Sequence, residues 1–384
     1  MQLNMNKALK GIYIHIPFCE SKCPYCDFYS TAPSPEAVES YVYAVLSELE
    51  NLERTAEIYP DIKNADLKSD TLYIGGGTPS LIGGERLSRI VRLCRELYLT
   101  ADAEITVECN PHSSSSELFE ALAKAGVNRI SLGMQSANDT ERKLLGRRSG
   151  ADAVLKAVNA AKSCGIDNIS LDLMLGIPNQ SAESLKRSVD FCAHAGAKHI
   201  SAYILSLEEG TPFFKLRDSL KLPDEDETCE IYMEACEYAE SLGYGQYEIS
   251  NFALPGFESR HNLKYWSCEE YLGIGSASHS LFGSHRWFFS RSVDDFINKM
   301  PPVPDGEGDT EYEYAMLRLR LKDGLTYEGF RKHFGHELPA RISEKSQSKV
   351  YRGLVEADTV RIALTRKGFL VSNAIIGDLI DCLY

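Results

Sequence analysis

Three segments of the chain share one pattern, and this pattern decides the fold. They read KAGVNRISL (residues 124–132), SCGIDNISL (163–171) and HAGAKHISA (194–202). In each segment a helical pattern ends, a glycine follows, and a β-rich run begins. A glycine just past a helix allows the left-handed backbone of a helix C-cap. Three such joints predict one helix–strand unit used repeatedly, as in a full or partial (βα) barrel.

On both sides of these joints, short β-rich runs alternate with longer helical patterns from residue 11 to about 206. The β-rich runs are 11–16, 71–74, 104–108, 128–132, 168–173 and 199–204. The helical patterns are 36–54, 86–98, 116–125, 152–163 and 181–195. Alternation at this spacing predicts βα units around a parallel sheet. The expected fold class is therefore α/β, a partial (βα)6 TIM-type barrel with a small α+β C-terminal domain.

The pattern changes beyond residue 212, and four parts of the chain are predicted. The barrel takes residues 1–212, and an aromatic, glycine-rich extension over 213–300 caps it. PPVPDGEGD (301–309) has the composition of a linker. Residues 310–384 form a small helical domain with winged-helix-like spacing. Its end is expected to be a short strand pair in VRIALTRKGFLVS (360–372).

Composition argues against several classes of protein. The formal net charge of −14 and pI near 5.2 disfavour nucleic acid as the main partner, because phosphate binding needs a basic surface. No stretch is long and apolar enough to span a bilayer. The N-terminal MQLNMNKALK lacks the apolar core of a secretory signal, so the expected compartment is the cytoplasm.

Three of the 11 cysteines fall within eight residues, in CESKCPYC (19–26), directly after a predicted strand. Thiolates are the soft ligands that iron–sulfur clusters use, and a short loop can aim three of them at three irons of one cube. The alternatives are three inert buried thiols, or a zinc ion with a fourth ligand such as His15. A cluster held in this way would keep one iron open to a cofactor.

Other unusual residues also follow predicted strands. A glycine-rich turn, GGGTP (75–79), comes after the second strand, and Glu108, Gln135 and Asp172 lie at the ends of the next three. In a parallel barrel the carboxyl ends of all strands open on one rim, which carries the chemistry. We therefore expect these segments and the cysteine loop to converge.

IHIPFCESKCPYCDF (14–28) resembles the signature of the radical SAM superfamily. It is most similar to the branch that contains the oxygen-independent coproporphyrinogen III oxidases and the HemW-type heme chaperones, from Gly11 through the C-terminal domain. The resemblance implies a [4Fe–4S] cluster on Cys19, Cys23 and Cys26. It also implies that the open iron chelates the amino and carboxylate groups of S-adenosylmethionine (SAM), whose reductive cleavage gives a 5′-deoxyadenosyl radical.

The resemblance further implies a SAM site. Its expected residues are Tyr13, Tyr25, Gly76, Gly77, Thr78, Glu108, Gln135, Arg147 and Asp172. The glycine-rich turn would bind the amino group, and the guanidinium fork of Arg147 suits the methionyl carboxylate. Taken singly, each of these residues would be an ordinary hydrogen-bonding or salt-bridge residue. No catalytic residue is assigned.

Departures from the oxidase pattern separate the two kinds of relative. Phe28 stands where the oxidases have a fourth cysteine, and only twelve residues precede Tyr13. His279 stands where the oxidases have an apolar residue linked to a second SAM. These differences favour a chaperone over an oxidase.

HNLKYW (261–266) resembles a segment typical of HemW-type proteins. His261 and Tyr265 are four residues apart, which places them on one helix face, and both types of side chain occur as axial heme ligands. From the residues alone, a hydrogen-bonding His and packing aromatics would be favoured. The family resemblance favours heme, and the candidate heme-binding residues are His261, Tyr265 and His279.

The expected function is a heme chaperone that binds heme, the cluster and SAM and delivers heme to apo-proteins. The alternative is an oxygen-independent coproporphyrinogen III oxidase, and a third hypothesis is a radical SAM enzyme acting on a substrate such as tRNA. The sequence leaves open whether the protein is an enzyme. Expected partners are heme or porphyrin and a heme-accepting apo-protein, without nucleic acid, with membrane contact only through a partner, as a monomer or homodimer.

Overall fold

The computed structural model describes residues 10–383. Nearly all of the N-terminal segment from which the absence of a secretory signal was predicted lies outside these residues. No helix within residues 10–383 combines the length and apolar character needed to cross a membrane.

Six parallel strands form the centre of the structure. They are β1 (Lys10–Ile16), β2 (Ser69–Gly76), β3 (Leu99–Cys109), β4 (Arg129–Gln135), β5 (Asn168–Leu175) and β6 (His199–Ile204). The helices between them are α1 (Pro35–Asn51), α2 (Thr55–Ile58), α3 (Gly84–Leu97), α4 (Ser116–Ala125), α5 (Asp139–Leu144), α6 (Ala151–Ser163) and α7 (Ala182–Ala195). The strands pair in sequence order, each parallel to the next. The predicted partial (βα)6 barrel is confirmed.

The glycine joints that predicted this fold have the expected backbone. Gly126, Gly165 and Gly196 have φ values of 104°, 87° and 71°. The Gly126 N–H donates to the Leu122 and Ala123 carbonyls, which ends α4 and turns the chain into β4. A left-handed residue thus closes the helix before each of the last three strands of the barrel.

The next segment extends the sheet at both edges. It contains α8 (Pro212–Leu216), α9 (Glu225–Ser241), β7 (Gly245–Gln246), β8 (Asn251–Ala253), α10 (Arg260–Trp266), β9 (Tyr271–Ile274), β10 (His279–Phe282), β11 (His285–Phe288), α11 (Val293–Ile297) and β12 (Val303–Glu307). The sheet runs β12-β11-β10-β9-β1-β2-β3-β4-β5-β6-β8-β7. Because β1 pairs with β9 and β6 pairs with β8, the barrel stays open.

The predicted linker over 301–309 needs a correction, because it contains strand β12. This strand pairs antiparallel with β11 at the outer edge of the sheet, with Pro304 opposite Trp287. Proline lacks an N–H and is tolerated in an edge strand. The proline and glycine residues that suggested a linker therefore belong to an edge strand.

The remaining chain forms a second, three-stranded sheet with helices. Its elements are α12 (Glu311–Arg318), β13 (Leu325–Thr326), α13 (Tyr327–Phe334), α14 (Ala340–Ser346), β14 (Val355–Ala357), β15 (Arg361–Leu364), α15 (Arg366–Leu370) and α16 (Ser372–Ile380). The strand order is β13-β15-β14. The chain does not end in a strand pair, because the Thr365 side chain caps α15 by accepting from the Gly368 N–H. Apart from the linker, the division into domains stays a prediction.

The barrel strands alternate between two environments. On β1, Ile12, Ile14 and Ile16 face outward into the helical layer and are buried in one apolar core. Tyr13 and His15 lie on the opposite face. The inner faces of the other strands also carry polar or small residues: Thr71, Tyr73 and Gly75; Glu104, Thr106 and Glu108; Arg129, Ser131 and Gly133; Ser170 and Asp172; His199, Ser201 and Tyr203. The fold therefore builds a polar lumen inside an apolar shell.

Candidate functional site

The cysteine loop begins where β1 ends, and backbone hydrogen bonds fix its two sides. The Thr31 N–H donates to the Pro17 carbonyl (2.8 Å), and the Cys19 N–H donates to the Thr31 carbonyl (3.0 Å). The Cys26 N–H donates to the Cys23 carbonyl (3.2 Å). All three thiols are free and partly accessible. The loop thus presents three thiols at the rim without a disulfide between them.

These thiols suit a multinuclear cluster better than one metal ion. In the part of the chain that the structure describes, no three His, Cys, Asp or Glu side chains are grouped closely enough to share a single ion. In a [4Fe–4S] cube each thiolate binds a different iron, so sharing is not required. His15 is engaged elsewhere, since its Nδ1 is 3.0 Å from the Tyr13 hydroxyl and its Nε2 is 3.5 Å from the Tyr29 carbonyl. The zinc alternative with His15 therefore gains no support.

The glycine-rich turn after β2 packs against the start of the cysteine loop. The Gly77 N–H donates to the Ile16 carbonyl and the Thr78 N–H to the Phe18 carbonyl, both at 2.8 Å. A Cβ on Gly77 would stand 2.8 Å from the Phe18 oxygen. The Thr78 hydroxyl lies 3.5 Å from the Cys19 sulfur. The glycines therefore allow two rim loops to touch, which places Thr78 beside a predicted cluster ligand.

Glu108 and Asp172 lie on the inner faces of β3 and β5. Glu108 accepts hydrogen bonds from the Tyr73 hydroxyl (2.8 Å) and the Gly76 N–H (3.1 Å). Burial raises the pKa of Glu108 to about 7, although the Tyr73 hydrogen bond opposes the shift. Burial also raises the pKa of Asp172, which accepts from the Ser131 hydroxyl at 3.1 Å. These carboxyl groups can each accept further hydrogen bonds from a ligand.

Arg147 and Gln135 converge where β4 ends. One Arg147 Nη donates to the Tyr25 hydroxyl at 2.7 Å, and the Arg147 Nε is buried without a hydrogen-bond partner. Gln135 has φ 70° and directs its amide toward Gly133, where a Cβ would be 3.2 Å from Gln135 Nε2 and 3.7 Å from Arg147. The unpaired Nε fits the predicted carboxylate contact, since a carboxylate accepts from a guanidinium fork.

Tyr13 lies deeper in the barrel than the rim loops. Its ring stacks beside that of Tyr73, with centroids 6.3 Å apart, and its Cα pairs with Tyr73 in the sheet. The ring is also 6.5 Å from that of His261. Tyr13 thus lies between the residues of the rim and those at the opposite end of the barrel.

His261 lies at that opposite end, and its ring is saturated with hydrogen bonds. Nδ1 is 2.9 Å from the Thr71 hydroxyl, and Nε2 is 2.8 Å from the Tyr265 hydroxyl. Its backbone N–H donates to Glu104 at 3.1 Å. The side chain is buried, and burial lowers the pKa of the imidazole to about 3. The structure therefore does not bring His261 and Tyr265 to the cysteine loop, and in this conformation neither ring nitrogen is free for iron.

His279 is placed differently from the other two heme candidates. It begins β10, whose antiparallel partner β9 runs parallel to β1, so His279 lies at the rim end of the sheet. Its side chain is 57% exposed, stacks on Phe288 with centroids 5.2 Å apart, and lies 3.9 Å from Asp305. Its imidazole is thus accessible at the side of the barrel that carries the cysteine loop.

The lumen is also lined by Tyr73, Thr106 and Arg129, which belong to no motif recognised in the sequence. The available signal was the alternation of polar and apolar residues in the strands, for example Arg129 and Ser131 between Ile130 and Leu132. Central strands of parallel sheets are usually apolar on both faces. A polar inner face in such strands indicates a lumen that serves chemistry and not only packing.

Family comparisons agree with this arrangement. Residues 13–192 match the model of the radical SAM superfamily, and residues 311–371 match that of the HemN C-terminal domain. Coproporphyrinogen III oxidase (HemN) from Escherichia coli has the same fold, with a TM-score of 0.79 at 20% identity over 99% of this chain and 91% of that chain. The fold and the cysteine loop thus define a radical SAM protein. Membership of this superfamily implies a [4Fe–4S] cluster and SAM.

Similarity to two curated relatives identifies the family within this superfamily. The heme chaperone HemW of Bacillus subtilis is 34% identical over 96% of this chain and 98% of its own. The heme chaperone HemW of Escherichia coli is 39% identical over 70% of this chain and 69% of its own. This chain belongs to the HemW family of radical SAM proteins.

Proposed function

We propose that the protein is a heme chaperone, which binds heme and delivers it to apo-proteins while holding a [4Fe–4S] cluster and SAM. The observation that carries the proposal is the similarity to HemW from Bacillus subtilis, which extends over 96% of this chain and 98% of that protein. The likeness to HemN supports the fold alone, because the identity is 20%. The proposed compartment is the cytoplasm.

In this proposal Cys19, Cys23 and Cys26 would hold the cluster, which would supply the electron for any reductive cleavage of SAM. Arg147 donates its unpaired Nε to the methionyl carboxylate, and Tyr25 orients the guanidinium. The other proposed contacts come from the inner strand ends and the glycine-rich turn: Tyr13, Gly76, Gly77, Thr78, Glu108, Gln135 and Asp172. The apolar cluster of Leu145, Met174, Ile177 and Phe213 packs against Tyr25 and shields this side of the rim.

The three heme-ligand candidates differ in what ligation would require. Coordination by His261 would break one of its two ring hydrogen bonds and draw a buried side chain away from Tyr265. Coordination by His279 would break no hydrogen bond that the structure shows, and its ring is exposed. His279 is therefore the ligand we propose to test first.

The function is tested with protein reconstituted without oxygen. Hemin is titrated into the reconstituted protein, and the complex is mixed with apomyoglobin as a probe acceptor. We expect stoichiometric uptake and transfer to the acceptor, with no decarboxylation of coproporphyrinogen III in the presence of SAM and a reductant. Formation of protoporphyrinogen that disappears in Cys23→Ala would overturn the chaperone proposal and identify an oxidase.

The heme ligand is tested by comparing His279→Ala, His261→Ala and Tyr265→Phe. We expect His279→Ala to change the visible spectrum of the heme complex most, because axial ligands set that spectrum. A change confined to His261→Ala or Tyr265→Phe would assign the ligand to the buried pair. Circular dichroism on each variant separates loss of ligation from loss of fold.

A further inference from the structure

Arg129 lies on the inner face of the barrel, at the start of β4. The next residue on the same face, Ser131, donates to Asp172 on the inner face of the neighbouring strand β5, which fixes the direction of this face. Arg129 pairs in register with Thr106 of β3, which pairs with Tyr73 of β2, which pairs with Tyr13 of β1. These four side chains therefore form one level of the lumen wall.

The Arg129 guanidinium is buried and unpaired. The residue is 2% exposed, its Nε has no hydrogen-bond partner, and the group makes no ion pair or hydrogen bond with any residue from 10 to 383. Burial raises the pKa values of Glu108 and Asp172 and lowers those of the imidazoles of His199 and His261; the charge of Arg129 opposes the first shift and adds to the second. The cation therefore lies centrally in the lumen without touching any of these groups.

Two other buried arginines show what structural pairing looks like in this chain. Arg54 donates to the Glu48 carboxylate (2.8 Å) and to the Phe296 and Ala44 carbonyls. Arg142 donates to the Met134 carbonyl (2.7 Å) and to the Ser136 carbonyl (3.0 Å). A buried cation without such partners is costly to the fold. Arg129 therefore differs from the structural arginines in having donors directed at nothing in the protein.

Thr106 provides a second, independent observation. Its hydroxyl is also buried without a partner, and it belongs to the strand position directly opposite Arg129. A guanidinium and a hydroxyl that are adjacent, buried and unpaired form a donor set for an anion. A carboxylate fits this set, since it can accept two bonds from the guanidinium and one from the hydroxyl.

The depth of this site limits the ligand. Arg129 is four residues below Gly133 on β4, which corresponds to about 13 Å along a strand. A ligand that enters at the rim must therefore place its carboxylate on an arm or edge that reaches into the lumen. The rings of Tyr13 and Tyr73 at the same level give such a ligand an aromatic wall.

We propose that Arg129 and Thr106 bind a carboxylate of the ligand in the lumen, supplied by a propionate side chain of the bound tetrapyrrole. This inference rests on the proposed function for the identity of the ligand. The chemistry it adds is the recognition of a propionate at the lumen floor, away from the cysteine loop and from the heme-ligand candidate His279.

The test compares hemin with hemin dimethyl ester, which lacks the carboxylates, in wild type and Arg129→Gln. For hemin we expect the substitution to raise Kd about tenfold to a hundredfold, the range of a charge-assisted pair. For the dimethyl ester we expect wild type and variant to bind alike. Arg331→Gln removes an exposed arginine and should change neither value. SAM affinity should be unchanged in Arg129→Gln.

Each other outcome overturns the inference. If Arg129→Gln weakens the two tetrapyrroles equally, or neither, Arg129 does not bind a propionate. If it weakens SAM instead, the carboxylate belongs to SAM. If Arg129→Gln unfolds, Thr106→Val gives the same comparison, with a smaller loss expected for hemin alone. If wild type binds neither tetrapyrrole, the proposed function fails together with this inference.

Discussion

The two ends of the barrel lumen are both lined by polar side chains, but they differ in how their hydrogen bonds are used. At the rim, the Arg147 Nε is unpaired and the three thiols of the cysteine loop are partly accessible. At the opposite end, both ring nitrogens of His261 are bonded, to Thr71 and Tyr265, and its N–H is bonded to Glu104.

This difference distinguishes residues that are free to bind a ligand from residues whose hydrogen bonds stabilise the fold. A buried polar group that is satisfied within the protein gains little from a ligand, whereas an unsatisfied one is costly until a partner arrives. By this measure the rim is the binding end, and the HNLKYW segment closes the other end. Arg129 and Thr106 are exceptions, because each has a buried atom without a partner although both lie below the rim.

The largest expected effect is the loss of bound iron when a cysteine of the loop is replaced. Cys23→Ala removes one of three cluster ligands, so anaerobically reconstituted protein should lose its iron and the visible absorbance of the cluster. The matched control is Cys164→Ala, which removes a partly accessible thiol at the end of α6. It should keep full iron content. Equal iron in the two variants would contradict the assignment of the loop as the cluster site.

At the end of the lumen closed by the HNLKYW segment, we expect a substitution of His261 to have a large effect on stability. His261→Ala leaves the Thr71 and Tyr265 hydroxyls unpaired and opens a cavity, so we expect the free energy of unfolding to fall by about 2–4 kcal/mol. Urea denaturation measures the change. His279→Ala removes an exposed imidazole and should stay within about 0.5 kcal/mol of wild type. A smaller loss in His261→Ala than in His279→Ala would remove the distinction between the two ends.

At the rim, Arg147 and its neighbour Arg148 allow a matched comparison of SAM affinity. Arg148 is 60% exposed and forms an ion pair with Glu20. We expect Arg147→Gln to weaken SAM binding about tenfold to a hundredfold, because it removes a charge-assisted contact to the carboxylate. Arg148→Gln should leave SAM affinity within about twofold, as surface pairs contribute little. Calorimetric titration of SAM into both variants checks the difference.

Much of the barrel was predictable from local pattern. The glycine joints, the strand alternation and the cysteine loop depend on residues close in sequence, and each was readable without contacts between distant residues. The same holds for the convergence at the rim, because parallel strands bring their carboxyl ends to one side. Glu108 and Gln135 lie at strand ends as expected, whereas β5 continues to Leu175, beyond Asp172.

What could not be predicted depends on partners far along the chain. His261 is satisfied by Thr71 and Glu104, which are 190 and 157 residues away, so no local pattern shows that its ring is engaged. Likewise, Arg129 is recognisable as unpaired only once every possible partner has a position. The strand in 303–307 was missed because an edge strand forms from pairing with β11, and its own residues have weak strand propensity.

The smallest expected effect is the pH dependence of stability. The contributions of His261 and Glu108, one at each end of the lumen, should change with pH in opposite directions. His261 has a pKa of about 3 in the folded protein and about 6.5 when unfolded, so the unfolded chain binds the extra proton between these values. Its contribution to stability is present above pH 6.5 and is lost as pH falls. Glu108 has a folded pKa of about 7 against 4.5 unfolded, so its contribution is present below pH 4.5 and is lost as pH rises.

Absolute stability mixes these groups with others, such as His15, whose folded pKa is about 4. The difference in unfolding free energy between wild type and a variant isolates the contribution of the substituted group. Between pH 5 and 6, the wild-type advantage over His261→Gln should grow with pH by about 1.2 kcal/mol per unit. The advantage over Glu108→Gln should shrink at a similar rate. Two differences with the same sign would mean that the carboxyl group at the rim is not kept neutral by burial, and that the closed and open ends are electrostatically alike.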